Sequence, residues 1–158
     1  MNDYKIKIYL AGPFFNHQER KVKALIKEHL EDMCALNERY EVCDPQTEPR
    51  MESWEQPNDH WGAQVFVGDI DLIDRCDMVV AIDWGLYGDC GTAWEIGYAY
   101  AKRKSVIVVS PSEALTTHHS VMVANGCTNF LTQRRFLSIK DFDELFNLGY
   151  FAAGVEQK

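Results

Sequence analysis

Met78-Val-Val-Ala-Ile82-Asp83-Trp84-Gly-Leu-Tyr87-Gly-Asp89-Cys-Gly-Thr-Ala-Trp-Glu95-Ile-Gly-Tyr-Ala-Tyr-Ala101 reads as strand, loop and helix in direct succession. Five consecutive apolar residues fit a strand covered on both faces, the mark of a parallel sheet. Three glycines punctuate the loop, and a helix opens near Thr92 and extends to about Arg103. In an open α/β sheet ligands bind outside the carboxyl ends of the strands. Asp89 on the loop and Glu95 one turn into the helix would therefore stand at a ligand-binding edge. Two carboxylates in one cleft suit cleavage of an acetal-like bond, one as nucleophile and another managing a proton.

The same alternation extends in both directions. Residues 5–11, with Ile6, Ile8, Tyr9 and Leu10, form a strand that stops at Gly12-Pro13. Val22, Leu25, Ile26, Leu30, Met33 and Leu36 recur at helical spacing over 18–36. Tyr40 to Asp44-Pro45 reads as a second short strand, 46–60 as a long polar loop, and Asp59 to Cys76 as a helix. Ser105–Ser110 is a fourth strand, apolar on both faces; 111–128 reads as irregular. Asn129–Leu131 is a fifth strand, Lys140–Asn147 a last helix, and Gly149–Lys158 a tail of undetermined form. Strands alternating with helices imply a parallel sheet joined by right-handed crossovers. The expectation is one α/β domain over residues 1–158, a flavodoxin-like sheet of about five strands with helices on both faces.

Composition narrows the partners. A formal charge of −8 and no basic stripe argue against a nucleic-acid polymer. Lys102-Arg-Lys104 reads as cations at a helix end, where they complement the dipole. Five cysteines without a C-x-x-C pair, and histidines 17, 29, 60, 118 and 119 without ligand spacing, give no metal site. The thiols read as reduced, and the histidines as bystanders. No apolar run is long enough to span a membrane and no signal-peptide pattern opens the chain, so a cytoplasmic protein is expected. No G-x-x-x-x-G-K-[ST] or G-x-G-x-x-G occurs, which weakens triphosphate and dinucleotide readings.

Each acid also has a structural reading. Asp69 falls on the helical arc holding Trp61, Val65, Leu72, Ile73 and Cys76, whereas Asp71 and Asp74 fall opposite. An acid on an apolar face tends toward a raised pKa, which suits a proton donor; the alternative is a carboxylate capping a neighbouring loop. Thr92-Ala-Trp-Glu95 matches a capping box, in which the glutamate serves its own helix. Equally, a helix N-terminus would keep Glu95 ionised, as a nucleophile requires. Asp89, between Gly88 and Gly91, is either a turn aspartate or a site acid.

Taken together, Ile8-Tyr9-Leu-Ala-Gly-Pro-Phe14-Phe15-Asn16, Asp44-Pro-Gln46, Gly68-Asp69-Ile-Asp-Leu-Ile-Asp-Arg-Cys-Asp77 and Asp89-Cys-Gly-Thr-Ala-Trp-Glu95-Ile-Gly-Tyr-Ala resemble the nucleoside 2-deoxyribosyltransferases over roughly residues 6–110. The resemblance implies transfer of a 2-deoxyribosyl group between nucleobases through a covalent glycosyl-glutamate, with retention and no cofactor. Glu95 matches the nucleophile, and Asp69 and Asp89 the acids that contact and protonate the base. Tyr9 matches a tyrosine bonded to the nucleophile. Gln46, Phe14, Gly12 and Met122 match substrate-binding positions. The expected partners are deoxynucleosides and free nucleobases, with no membrane and a homo-oligomer whose subunits share sites through the segment around Met122. That methionine has a plainer alternative, as filler of this chain's own core. Two departures stand out: Ser120-Val-Met122 replaces an Asn-Leu-Met segment, and the chain ends Gly154-Val-Glu-Gln-Lys158 rather than on an aromatic residue. The alternatives are a deoxynucleoside 5′-monophosphate N-glycosidase or a non-catalytic nucleotide-binding module. The first would need a phosphate pocket, and the Ala11 to Asn16 loop offers no cation before Arg20.

Overall fold

The computed structural model describes residues 4–48, 57–111 and 119–148. Five parallel strands, β1 (Ile6–Ala11), β2 (Tyr40–Cys43), β3 (Met78–Ile82), β4 (Ser105–Ser110) and β5 (Asn129–Thr132), form one sheet in the order β2-β1-β3-β4-β5. This is the flavodoxin-like order, which reverses between β1 and β3 and opens a crevice at their carboxyl ends. Register fixes the neighbours of that crevice: Tyr9 pairs with Cys43 on one side and Val79 on the other.

Alternation along each strand sorts side chains into two cores. Ile8, Leu10, Val80, Ile82, Ile107 and Val109 face one way. They pack under α1 (His17–Leu36), α5 (Gln133–Ser138) and α6 (Phe142–Phe146). Tyr9, Ala11, Val79, Ala81, Val106 and Val108 face the other way. They pack under α2 (Asn58–Arg75), α3 (Cys90–Ala101) and α4 (Val121–Asn125). Tyr9 is thereby sent to the face that carries α3, while the apolar stripe of α1 covers the opposite face.

The strands and long helices begin and end within a few residues of the sequence reading. Three differences have local causes. The helix read from Thr92 starts at Cys90, because the Asp89 carboxylate accepts the Thr92 amide at 2.8 Å and hydroxyl at 2.9 Å. The segment read as irregular contains α4, capped by Ser120, and α5 follows β5 directly, capped by Thr132. Helices of five or six residues are too short to show a 3.6-residue period. The last helix is shorter than the Lys140–Asn147 reading, because Asp141 caps it at the Glu144 amide. Parts of the 46–60 loop and the 111–128 segment, and the whole tail, lie outside the described residues.

Lys104 does more than sit at a helix end. Its ammonium donates to the Asp74 and Cys76 carbonyls, closing the far end of α2, while Lys102 pairs with Asp74 at 3.1 Å. Among the described residues no helix is long and apolar enough to cross a membrane.

Candidate active site

Four of the expected residues converge where β1, α2 and α3 meet. Tyr9, with no exposed surface, donates its hydroxyl to Glu95 Oε1 at 2.6 Å. Asp69 on α2 and Glu95 on α3 line one cavity of about 410 Å³, with Val65, Phe66, Cys90 and Trp94. Phe66 meets Trp94 edge to face at 5.4 Å, and Trp94 stacks on Tyr98 at 5.2 Å, giving the cavity an aromatic flank. Asp89 stands at the head of α3 with one oxygen engaged by Thr92. A larger cavity of about 630 Å³ lies beyond the Trp84–Tyr87 turn, but among the described residues no carboxylate lines it.

Glu95 does not form the capping box that its spacing allows. Asp89 takes the cap, and Glu95 lies in the second turn, where the dipole has faded. Burial instead drives its pKa up to about 7; the Tyr9 hydrogen bond and Lys23 pull it down, and Asp69 and Asp89 push it further up. The expectation that the helix terminus keeps Glu95 fully ionised therefore fails. Near neutral pH this carboxyl is poised between its two forms.

Phe14, after β1, stacks on Phe15 at 5.1 Å and is partly exposed. Gly12 precedes it with no room to spare: a Cβ there would lie 3.2 Å from the Ile82 side chain. Gln46, on the turn after β2, has an exposed side chain and donates its backbone amide to Asp44 at 3.0 Å. Met122 on α4 is 82% exposed, so it does not fill this chain's core; its neighbours Val123 and Ala124 do.

Two residues here escaped the sequence reading. Lys23 is 3% exposed, pairs with Asp44 at 3.2 Å and stands 5.2 Å over the Phe14 ring. Burial lowers its pKa against the attraction of Asp44 and Glu95. Burial alone would raise the Asp44 pKa, but Lys23, the Gln46 amide and Lys27 hold it below the usual carboxylate range. Its sequence signal was present: Lys23 continues the buried stripe Ile26, Leu30, Met33, the same anomaly that marked Asp69. His119 is the second. Rather than a bystander, its side chain is 4% exposed and bonded to Asp83, and no local pattern announces it.

A family model for nucleoside 2-deoxyribosyltransferase matches residues 8–149. Among solved structures, a 2-deoxyribosyltransferase from the psychrotolerant bacterium Bacillus psychrosaccharolyticus is 28% identical. That match covers 89% of this chain and 90% of that one, with a TM-score of 0.64. A conserved protein from Enterococcus faecalis V583 is 22% identical over 87% and 89% of the chains, with a TM-score of 0.58. The CMP N-glycosidase BcmB from Clostridium botulinum is 20% identical over 84% and 96%, with a TM-score of 0.56. The last two likenesses speak for the fold alone. No curated protein matches the sequence. With its fold, its acid cluster and a family match spanning most of its length, the chain belongs to the nucleoside 2-deoxyribosyltransferase family.

Proposed function

We propose that this protein moves a 2-deoxyribosyl group from a deoxynucleoside to another nucleobase through an ester on Glu95, with retention at the anomeric carbon. The observation that carries this reading is the partly buried Tyr9–Glu95 hydrogen bond at 2.6 Å, beside a cavity that Asp69 also lines. Tyr9 holds one carboxylate oxygen and leaves the other to attack the anomeric carbon. As that bond forms, the carbon–nitrogen bond breaks, its electron pair goes to the leaving base, and an acid protonates the base. Asp69 takes that role in our reading, because it lines the same cavity as Glu95, while Asp89 caps α3 through Thr92. A second base then attacks the same carbon and expels Glu95, giving retention through two displacements. Deoxyribose lacks the 2-hydroxyl that disfavours the oxocarbenium-like transition state, so positioning and electrostatics supply the catalysis.

Incubation with a deoxynucleoside and a different free base, followed by chromatography, tests this directly. A new deoxynucleoside formed with ping-pong kinetics is the expected result; release of free sugar without exchange would contradict it. A 5′-monophosphate substrate would need an uncommitted cation nearby; among the described residues, Lys23 and Lys27 are both engaged by Asp44 at 3.2 and 3.1 Å.

Asp69→Asn should slow exchange most for bases that leave poorly and least for an activated leaving group, since only the former need a proton in the transition state. Equal slowing across a leaving-group series would remove Asp69 from the acid role.

The same reading makes the protein a homo-oligomer with shared sites. Val121 and Met122 are 76% and 82% exposed on a helix whose Val123 and Ala124 are buried. An apolar pair so displayed calls for a cover, and a second copy supplies one. Mixing Glu95→Ala with Met122→Asp subunits should regenerate activity from two inactive parents. No recovery, with subunit exchange verified by mass spectrometry, would mean self-contained sites.

A further inference from the structure

Behind the Trp84–Asp89 loop lies a buried chain of three polar side chains that the proposed chemistry does not use. His119 Nδ1 meets Asp83 Oδ2 at 2.5 Å, and His119 Nε2 meets Ser110 Oγ at 3.1 Å. Asp83 is 5% exposed and Ser110 not at all. Phe130 closes against the imidazole edge to face at 4.7 Å. One tautomer serves all three groups: Nδ1–H donates to the carboxylate, and Nε2 accepts from the serine hydroxyl. The acid–imidazole–hydroxyl order is that of a nucleophilic triad, but a serine with no exposed surface cannot meet a substrate. With Ser110 buried, the geometry favours a role for the chain in holding the protein's own backbone.

Its position indicates what it acts on. Asp83 is the first residue beyond β3 and Ser110 the last of β4, and the Asp83 amide donates to the Val109 carbonyl at 3.0 Å. With Oδ2 held by His119, the other carboxylate oxygen lies against Gly88, where an added Cβ would come within 2.8 Å of Oδ1 and of the Gly85 carbonyl. The Gly88 amide donates to that same carbonyl at 2.8 Å. The loop thus packs against the Asp83 carboxylate at Gly88, and the next residue is Asp89, which caps the helix bearing Glu95.

We propose that Asp83, His119 and Ser110 form a positioning latch that sets the Trp84–Asp89 loop, and through it the placement of Asp89 and Glu95 toward substrate. For catalysis this rests on the exchange chemistry proposed above; for loop order it stands alone. All three are positioning residues.

The test is His119→Leu in the full chain, read by hydrogen exchange of the peptide covering residues 84–92 and by steady-state kinetics. Loss of the latch should speed exchange in that peptide about tenfold or more, as expected when a local opening becomes easier. It should lower kcat on the order of 100-fold, with a smaller change in KM, the scale of a small misplacement of catalytic groups. His119→Asn, which keeps a donor toward Asp83, should recover part of both. Met33→Ala, in the opposite core, serves as a control for general destabilisation and should leave kcat near wild type well below its melting temperature. Wild-type kcat in His119→Leu, or a loss no greater than in Met33→Ala, would overturn the catalytic role. If His119→Leu does not fold, Asp83→Asn is read in the same way. If the wild-type protein exchanges no bases, the functional reading falls, while hydrogen exchange over 84–92 still decides whether the latch holds the loop. Unchanged exchange there would overturn the latch.

Discussion

Replacing Glu95 with alanine is expected to lower base exchange on the order of 10⁴-fold or more while leaving the fold intact. A covalent nucleophile has no substitute within the site, so its loss removes the low-barrier route rather than trimming a contact. The fold should survive because Glu95 does no structural work at the head of α3. Asp89 caps that helix, and Ile96 and Ala99 anchor it to the sheet. Circular dichroism and thermal melting of the variant check the second half, and chromatography of the exchange reaction checks the first. Wild-type turnover in a folded Glu95→Ala protein would remove the residue from the mechanism.

The isosteric change Glu95→Gln should make the protein more stable at alkaline pH. Glu95 has a folded-state pKa near 7, raised by burial from an ordinary value of 4.5. Between those limits the folded protein holds a proton that the unfolded chain has released, so stability falls as pH rises through that window. Above about pH 7 the wild type carries the full cost of a partly buried carboxylate, which by its shift is about 3 kcal/mol. Glutamine keeps an acceptor for the Tyr9 hydroxyl and carries no charge. Its advantage should be largest at pH 8, a rise in melting temperature of roughly 5–10 °C, and should disappear below pH 4.5. The same titration should place the acid limb of kcat/KM near pH 7, because only ionised Glu95 attacks. A melting-temperature difference that does not vary with pH would mean that Glu95 is not held near neutrality. On the proposed mechanism, a nucleophile that destabilises its own fold is the expected cost of a preorganised site.

How much of this was legible in the sequence follows from the range of each interaction. The β3–loop–α3 stretch was readable because an apolar strand and a long helix each carry their own period. Asp69 was readable because a charge interrupts that period, and Lys23 carried the same signal on α1, where Ile26, Leu30 and Met33 continue its stripe. Glu95 stood differently. A capping box and a site carboxylate fit the same spacing, and only the Asp89–Thr92 hydrogen bonds separate them. The rise of its pKa comes from burial, which outweighs the lowering by a hydrogen bond from Tyr9, 86 positions away, so local dipole reasoning gave the wrong direction. His119 had no local signal, since its partners Asp83 and Ser110 lie on two different strand ends. The short helices α4 and α5 are set by the side-chain caps Ser120 and Thr132, features that a periodicity scan does not weigh.

The central claim is that Glu95 carries the sugar between two bases. The most direct measurement is to mix the enzyme with a deoxynucleoside and no acceptor base, quench in acid, digest and weigh the peptides. The account predicts that the peptide containing Glu95 gains the mass of one deoxyribosyl group, that fragmentation places it on that glutamate, and that added free base discharges it to a new deoxynucleoside. An active enzyme whose Glu95 peptide stays unmodified under rapid quench, with inverted configuration in the product, would contradict it.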